Sequence, residues 1–163
     1  SVNTLGAALC RPAYIEELAG YYRGERDRLC LDCRQRLKRN PLRLLDCKEQ
    51  GCQPLIAGAP HSTDHLCREC DASWTDLKVY LDQMGLNYQV DHLLVRGLDY
   101  YTRTVFEISP PDDRRTSTIV GGGRYDGLIE LLGGPPIPGI GFGMGLERVI
   151  GNLKRQELSL IHI

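Results

Sequence analysis

The sequence predicts an α+β fold: an antiparallel sheet with flanking helices, joined to a mainly helical segment. Three observations carry this expectation. Apolar residues recur at helical spacing in the first half of the chain, alternating and β-branched stretches are confined to the second half, and glycines and prolines punctuate the junctions. A run of helices followed by strands and a closing helix is the pattern of an α+β assembly.

The first helix is expected from Pro12, a residue suited to a helix start, with Glu16 and Glu17 assigned to its first turn and Gly24 interrupting it. A second is expected over residues 31–39, ended by Asn40-Pro41, because a residue before proline is steered away from helical dihedrals. Residues 48–65, with Gly51, Pro54, Gly58 and Pro60, read as a loop. A third helix is expected over residues 67–84, with Trp74, Leu77, Tyr80 and Leu81 on one stripe and Gly85 as its cap. Beyond a boundary near residue 86, residues 88–91 and 102–108 alternate as half-buried strands. Pro110-Pro111-Asp112-Asp113 reads as a turn and residues 116–120 as the return strand, stopped by Gly121-Gly122-Gly123. A helix over 125–132, a loop over 133–138, a short buried strand over 140–143 and a closing helix over 146–156 complete the expectation.

Composition narrows the class. Of 163 residues, 42% are hydrophobic and 25% charged, with a net charge of −1, which are globular values. No apolar run approaches the roughly 18 residues that span a bilayer, so no membrane partner is expected. The chain opens Ser1-Val2-Asn3 with no secretory signal and no Met, and reads as an excerpt or a processed product. Arg34, Arg36, Lys38, Arg39 and Arg43 form a basic cluster; such a face is by default solvated, the competing reading being contact with phosphates. The seven cysteines stand at 10, 30, 33, 47, 52, 67 and 70. Close pairing without a signal peptide points to reduced thiols in the cytoplasm, some of them metal ligands. Cys30-Leu31-Asp32-Cys33 and Cys67-Arg68-Glu69-Cys70 share one register, and two such pairs converging make a four-thiolate structural zinc site. Cys47 and Cys52 are alternates for either pair. The competing reading is a set of small buried thiols.

Three stretches bear chemistry. In Leu94-Val95-Arg96-Gly97-Leu98-Asp99-Tyr100-Tyr101 an arginine, an aspartate and two tyrosines interrupt an apolar run, and such groups need partners when buried. Gly121-Gly122-Gly123-Arg124-Tyr125-Asp126-Gly127 permits close approach of the backbone to a ligand. Gly139-Ile140-Gly141-Phe142-Gly143-Met144-Gly145-Leu146-Glu147-Arg148 opens a flat surface that a purine could cover, followed by an arginine placed for polyphosphate. Its spacing fits neither a phosphate-cradling loop nor a dinucleotide fold.

Together these stretches resemble the histidyl-tRNA synthetases: Leu-Val-Arg-Gly-Leu-Asp-Tyr-Tyr-Thr-Arg-Thr-Val-Phe-Glu is similar to their histidine-specific signature, Gly-Gly-Gly-Arg-Tyr-Asp-Gly-Leu to the block that follows, and Gly-Phe-Gly-Met-Gly-Leu-Glu-Arg to the third class II motif. Asn40-Pro41-Leu42-Arg43-Leu44-Leu45-Asp46-Cys47-Lys48 resembles the family's insertion domain, and Val2-Asn3-Thr4-Leu5-Gly6 the strand entering it. The implied organisation is a strand over 1–8, a helical insertion domain over 9–86, and the C-terminal part of a class II catalytic core over 87–163.

The resemblance implies an aminoacyl-tRNA ligase that activates histidine with ATP, magnesium accompanying the nucleotide, and charges tRNA(His) as a homodimer. It implies that Arg96 holds the α-phosphate and the carboxylate, that Arg148 grips the γ-phosphate, and that Tyr101 and Tyr125 line the imidazole pocket with Tyr100 close by. Gly122, Gly123, Gly143 and Gly145 make room for histidine and adenine. Arg103 and Glu107 are expected on the outer face or behind the pocket. The first two class II motifs and an anticodon-binding domain are not in this sequence, so the chain alone is expected to be inactive. The competing readings are a catalytically dead relative of the type that regulates ATP phosphoribosyltransferase, and a zinc-stabilised RNA-binding module.

Overall fold

The computed structural model describes residues 1–98, 100–110 and 118–158. Its architecture is α+β. Strands β1 (Val2–Thr4), β2 (Thr102–Ile108), β3 (Val120–Arg124) and β4 (Ile140–Met144) form one antiparallel sheet in the order β1-β2-β3-β4. Between β1 and β2 run helices α1 (Arg11–Gly24), α2 (Leu31–Arg39), α3 (Gln53–Ala57) and α4 (Arg68–Gln83); α5 (Leu128–Leu131) and α6 (Leu146–Arg155) follow β3 and β4 respectively.

Helix α1 forms where its apolar stripe demands: Tyr14, Leu18 and Tyr22, four residues apart, are all buried. Its first turn contains no acid, so Glu16 and Glu17 fall one turn later than expected. Helix α2 has the expected bounds. Cys30 caps its start by accepting from the Cys33 N–H, and Asn40, extended at φ −155°, ends it before Pro41 opens a 3-10 turn. The stretch over 48–65 is not a loop. It holds α3 and 3-10 turns at Gln50–Cys52 and Ser62–His65, because Pro54 sits in the first turn of α3, where its missing N–H costs nothing, and Gly58 lies just past its end. These pieces close one core around Tyr14, Leu18, Tyr22, Leu44, Leu55 and Ile56. Helix α4 buries Cys70 and Trp74, but Tyr80 at the far end of the expected stripe is 60% exposed.

The sheet corrects the sequence in three places. Gly121-Gly122-Gly123 lies inside β3, where the expected reading ended the strand; backbone pairing on both sides holds it there. Residues 88–91 contribute only a single bridge, Val90 to Val2, and form no strand of their own. Strand β4 is an edge whose Ile140, Phe142 and Met144 are exposed, and α6 buries none of its residues. The 125–132 helix shortens to α5. The expected turn at 111–113 and the first residues of the return strand lie outside the described residues.

Strand β1 joins the helices to the sheet. Asn3, fully buried, donates through Nδ2 to the carbonyls of His92 (3.3 Å) and Leu94 (3.0 Å), while Ser62 Oγ donates to the Thr4 carbonyl at 2.6 Å. Arg11 at the start of α1 donates to the Tyr101 carbonyl. In the basic cluster, Arg34 donates to the carbonyls of Leu29 and Asp27, and Arg36 pairs with Asp32 and donates to the Arg43 carbonyl. Two of its cations therefore organise their own backbone. Among the described residues no helix is long and apolar enough to cross a membrane.

Leu18 is 0% exposed and Leu31 is 78% exposed, so the same truncation separates them. Leu18→Ala is expected to cost about 2–5 kcal/mol in denaturant unfolding, and Leu31→Ala to stay within about 0.5 kcal/mol.

Candidate active site and thiol clusters

The sheet register shows how the site is built. Glu107, Gly121 and Gly143 stand in one row across β2, β3 and β4, and Val105, Gly123 and Gly141 in the next row on the same face. Side chains alternate along strands, so these glycines strip one face of the sheet bare. Side chains from elsewhere then settle on it. A Cβ at Gly121 would lie 2.6 Å from the Arg96 guanidinium, one at Gly123 would lie 2.9 Å from the Tyr101 ring, and ones at Gly139 and Gly141 would each lie 2.5 Å from Tyr125. Gly143 alone in the two rows has nothing within 4 Å. This open patch lies across from Gly121 and between Gly141, beneath Tyr125, and Gly145, beneath Arg148.

Arg96 is fixed on that face by Glu107, whose carboxylate lies 2.5 Å from the guanidinium, with each side chain 23% exposed. The second carboxylate oxygen of Glu107 accepts from the Thr118 hydroxyl at 3.0 Å. Arg148 in turn donates to the Thr118 carbonyl at 2.6 Å. The two arginines, distant in sequence, thus share one hydrogen-bonded frame through Thr118 and Glu107. Arg96 also sits 5.7 Å from the centroid of the Tyr101 ring. Tyr100, Tyr101 and Tyr125 meet as a group, Tyr125 standing edge-on to the other two with centroids 6.0 and 6.2 Å away. Tyr101 is buried. Burial and the hydroxyl of Tyr101 raise the Tyr100 hydroxyl above its ordinary range, so it is a neutral donor.

Most residues expected at the site come together here: Arg96, Tyr100, Tyr101, Gly123, Tyr125, Gly143, Gly145 and Arg148. Gly122 does not join them. It belongs to the row facing the other way, with Phe106 and Phe142, and a Cβ there would meet the Gly141 carbonyl oxygen at 2.4 Å. Of the two placements expected for Glu107, outer face or behind the pocket, the structure has the second: it is the direct partner of Arg96. Its parity with Val105 on β2 was visible in the sequence, yet nothing there said that Arg96, outside any strand, would fold onto the same face. Arg103 lies at the irregularity between Thr102 and Val105 with φ of 49°, and its side chain pairs with Glu69 (2.5 Å) and faces Asp126 (3.7 Å).

The expected set of Cys30, Cys33, Cys67 and Cys70 does not assemble. The Cys-x-x-Cys pairs begin different helices, α2 and α4, and each finds partners near its own helix. Cys30, Cys33, Cys47 and Cys52 bring four sulfurs within 4.8 Å of one another, and Cys10, Cys67 and Cys70 form a separate trio with the same limit. Cys47 and Cys52, the alternates, complete the first set; Cys10 was not foreseen, its spacing to Cys67 carrying no signal. In the first set the Cys30 and Cys47 sulfurs are 3.9 Å apart, the Cys33 N–H faces Cys30 Sγ and the Cys30 N–H faces Cys52 Sγ, both at 3.4 Å. Burial raises the Cys30 thiol, but the Cys33 N–H and the neighbouring thiols of Cys33, Cys52 and Cys47 outweigh it and hold Cys30 below its ordinary value; burial pushes Cys33 and Cys52 up. A cavity of about 400 Å³ separates this cluster from the sheet, lined by Cys47, Lys48, Ile56, Leu93 and Glu107 among others.

Comparison with known proteins fits this geometry. The family model described as histidyl-tRNA synthetase matches residues 53–149. The chain is 53% identical to the histidine–tRNA ligase of Dehalococcoides mccartyi (strain 195) over 97% of its own length and 38% of that protein. It is 49% identical to that of Symbiobacterium thermophilum over 98% of its own length and 37% of that protein. The crystal structure of apo S. aureus histidyl-tRNA synthetase superposes with a TM-score of 0.70 at 38% identity, covering 98% of this chain and 38% of the other. The chain therefore spans well under half the length of these relatives.

Two glycines of the sheet should respond oppositely to one added methyl. Gly122→Ala is expected to destabilise by about 1–3 kcal/mol through overpacking against backbone, whereas Gly143→Ala should leave the unfolding midpoint within about 0.5 kcal/mol.

Proposed function

Since this chain belongs to the histidyl-tRNA synthetase family, we propose that it supplies the insertion domain and the C-terminal part of the catalytic core of a class II enzyme. That enzyme activates histidine with ATP and transfers the histidyl group to tRNA(His). The observation that carries this reading is the bare glycine face occupied by Arg96 and the three tyrosines, with Glu107 holding Arg96 in place. A binding-only relative has no need for a cation anchored in this way.

In the proposed reaction the histidine carboxylate attacks the α-phosphorus of ATP and pyrophosphate leaves. Negative charge grows on the α-phosphoryl oxygens, and Arg96 stabilises it without reorganising, because Glu107 and the tyrosine wall already fix its orientation. Arg148 takes the γ-phosphate, exchanging the Thr118 carbonyl for a stronger, charge-assisted partner. Adenine lies over the open patch at Gly143. Tyr101 and Tyr125, with Tyr100 beside them, surround the imidazole; a pocket whose hydroxyls bond the ring nitrogens rejects side chains that leave them unpaired. Magnesium accompanies ATP as its counter-ion. The division at about residues 8 and 86, a cytoplasmic setting and assembly as a homodimer belong to the same reading. By itself the chain presents one wall of the site, with β4 and Arg148 open to solvent, and is expected to form no histidyl-tRNA.

The insertion domain would carry a structural zinc on Cys30, Cys33, Cys47 and Cys52. Four sulfurs, three of them buried, fit the ion: at a Zn–S distance of about 2.3 Å tetrahedral sulfurs stand about 3.8 Å apart, close to the 3.9 Å between Cys30 and Cys47. Four thiolates leave no open position, so such an ion would staple the α2 start to the 47–52 segment and take no part in catalysis.

Histidine-dependent exchange of pyrophosphate into ATP, measured on the synthetase that contains this chain, tests the assignment. Arg96→Gln is expected to lower exchange by about 10²–10³-fold. Gly143→Ala should raise the KM for ATP and leave that for histidine unchanged; exchange unaffected by Arg96→Gln would overturn the assignment. For the insertion, Cys33→Ser together with Cys47→Ser should remove the zinc held by this cluster and lower the melting temperature, and an unchanged metal content would return these cysteines to plain core packing.

A further inference from the structure

We propose that Cys10, Cys67 and Cys70 form a second zinc site, separate from that of Cys30, Cys33, Cys47 and Cys52, with three protein thiolates and a fourth position open to a solvent or small-thiol donor. The three sulfurs lie within 4.8 Å of one another, with Cys10 and Cys70 buried and Cys67 half-buried. Closing them to the edge of a zinc tetrahedron, about 3.8 Å, requires shifts of about 1 Å or less. Side-chain rotation at the ends of short segments supplies that. Three protein ligands and one exchangeable ligand is a coordination that zinc accepts readily, having no geometric preference from its d electrons.

Backbone N–H groups already face two of the three sulfurs. The Cys67 N–H donates to Cys10 Sγ at 3.1 Å and the Ala7 N–H donates to Cys70 Sγ at 3.3 Å. Arg103 pairs with Glu69, the residue before Cys70, and so places a cation at this end of the cluster. Cys67 stands at the N-cap of α4, a helix of 16 residues, and Cys70 lies in its first turn. The cluster of Cys30, Cys33, Cys47 and Cys52 repeats the plan: a Cys-x-x-Cys at a helix start, completed by cysteine from a distant segment and backed by backbone N–H groups. Inert buried thiols have no need for that repetition.

The position gives the site a purpose. Cys10 follows β1, the three-residue strand at the edge of the sheet, and Cys67 and Cys70 begin the helix whose Glu69 reaches the Arg103 irregularity in β2. A zinc here would release the three thiol protons to solvent and tie the chain leaving β1 to the start of α4, where Glu69 meets β2. Arg103 also faces Asp126, directly after Tyr125, so the clamp adjoins the wall of the proposed histidine pocket.

Metal content settles the matter. Protein prepared without chelator and with thiols reduced is analysed by elemental analysis and by native mass spectrometry, as the wild type, as Cys10→Ser, as Cys67→Ser and as the double variant Cys33→Ser/Cys47→Ser, which leaves the first cluster two thiols. The expected result is two zinc ions in the wild type and one in each variant. One ion in the wild type that survives Cys10→Ser and Cys67→Ser but is lost in Cys33→Ser/Cys47→Ser overturns the second site and leaves the first intact. Cobalt(II) added to zinc-free Cys33→Ser/Cys47→Ser gives a check that does not depend on Cys10→Ser folding. Thiolate-to-cobalt charge-transfer absorption that saturates at one equivalent, and shifts when a small thiol is added, supports the open three-sulfur site; its absence overturns it.

Discussion

A guanidinium laid on a β-sheet needs an anion within reach and a surface without side chains to lie on. Arg96 receives the first from Glu107 and the second from Gly121. Every other feature of the site follows from meeting both demands. The strand carrying Glu107 must sit beside a strand that is glycine at the facing position, and the next strand out must be bare as well if anything is to bind beside the guanidinium. Alternation along β3 and β4 then leaves room for Tyr101 and Tyr125 in the neighbouring row. Thr118 extends the same frame to Arg148. Partly buried ions are costly unless their partners are fixed, and here the partners are fixed by sheet register rather than by flexible side chains.

The helical region depends on a different kind of constraint. Two of its helices are short, α2 having nine residues and α3 five, and such segments are marginal without tertiary support. Their core is built largely from tyrosine, leucine and cysteine, and its sulfurs gather where the ends of these segments converge. Cross-linking through a metal is an economical way to hold several short segments whose apolar area is small. The attachment to the sheet runs through a three-residue strand, one buried asparagine, one serine, and the contacts of Arg11 with the Tyr101 carbonyl and of Glu69 with Arg103. The trio of Cys10, Cys67 and Cys70 lies at that attachment.

Several elements could be read from the sequence because local chemistry determines them. Asn40-Pro41 ended α2 where expected, since the restriction before proline is steric and short-ranged. The apolar alternation of residues 102–108 matched β2 for the same reason. The glycine run misled because a glycine's permissiveness says what the backbone can do and not what lies next to it; pairing with β2 and β4 kept it extended. The short strand expected to be buried proved to be an exposed edge, because an apolar pattern records a preference for cover without stating what supplies it.

The sequence by itself determined the α+β class, the family, and the residue types at the site, since motifs are contiguous and their chemistry belongs to the side chains. Tertiary structure alone decided which residues meet. It turned Gly122 away from the bare face, brought Glu107 to Arg96, and sorted the cysteines into a group of four and a group of three. The physical reason is the same in each case. Strand parity and helix starts are local properties, but the register between strands and the convergence of distant segments are fixed only when the whole chain packs, and spacing along the sequence carries no trace of them.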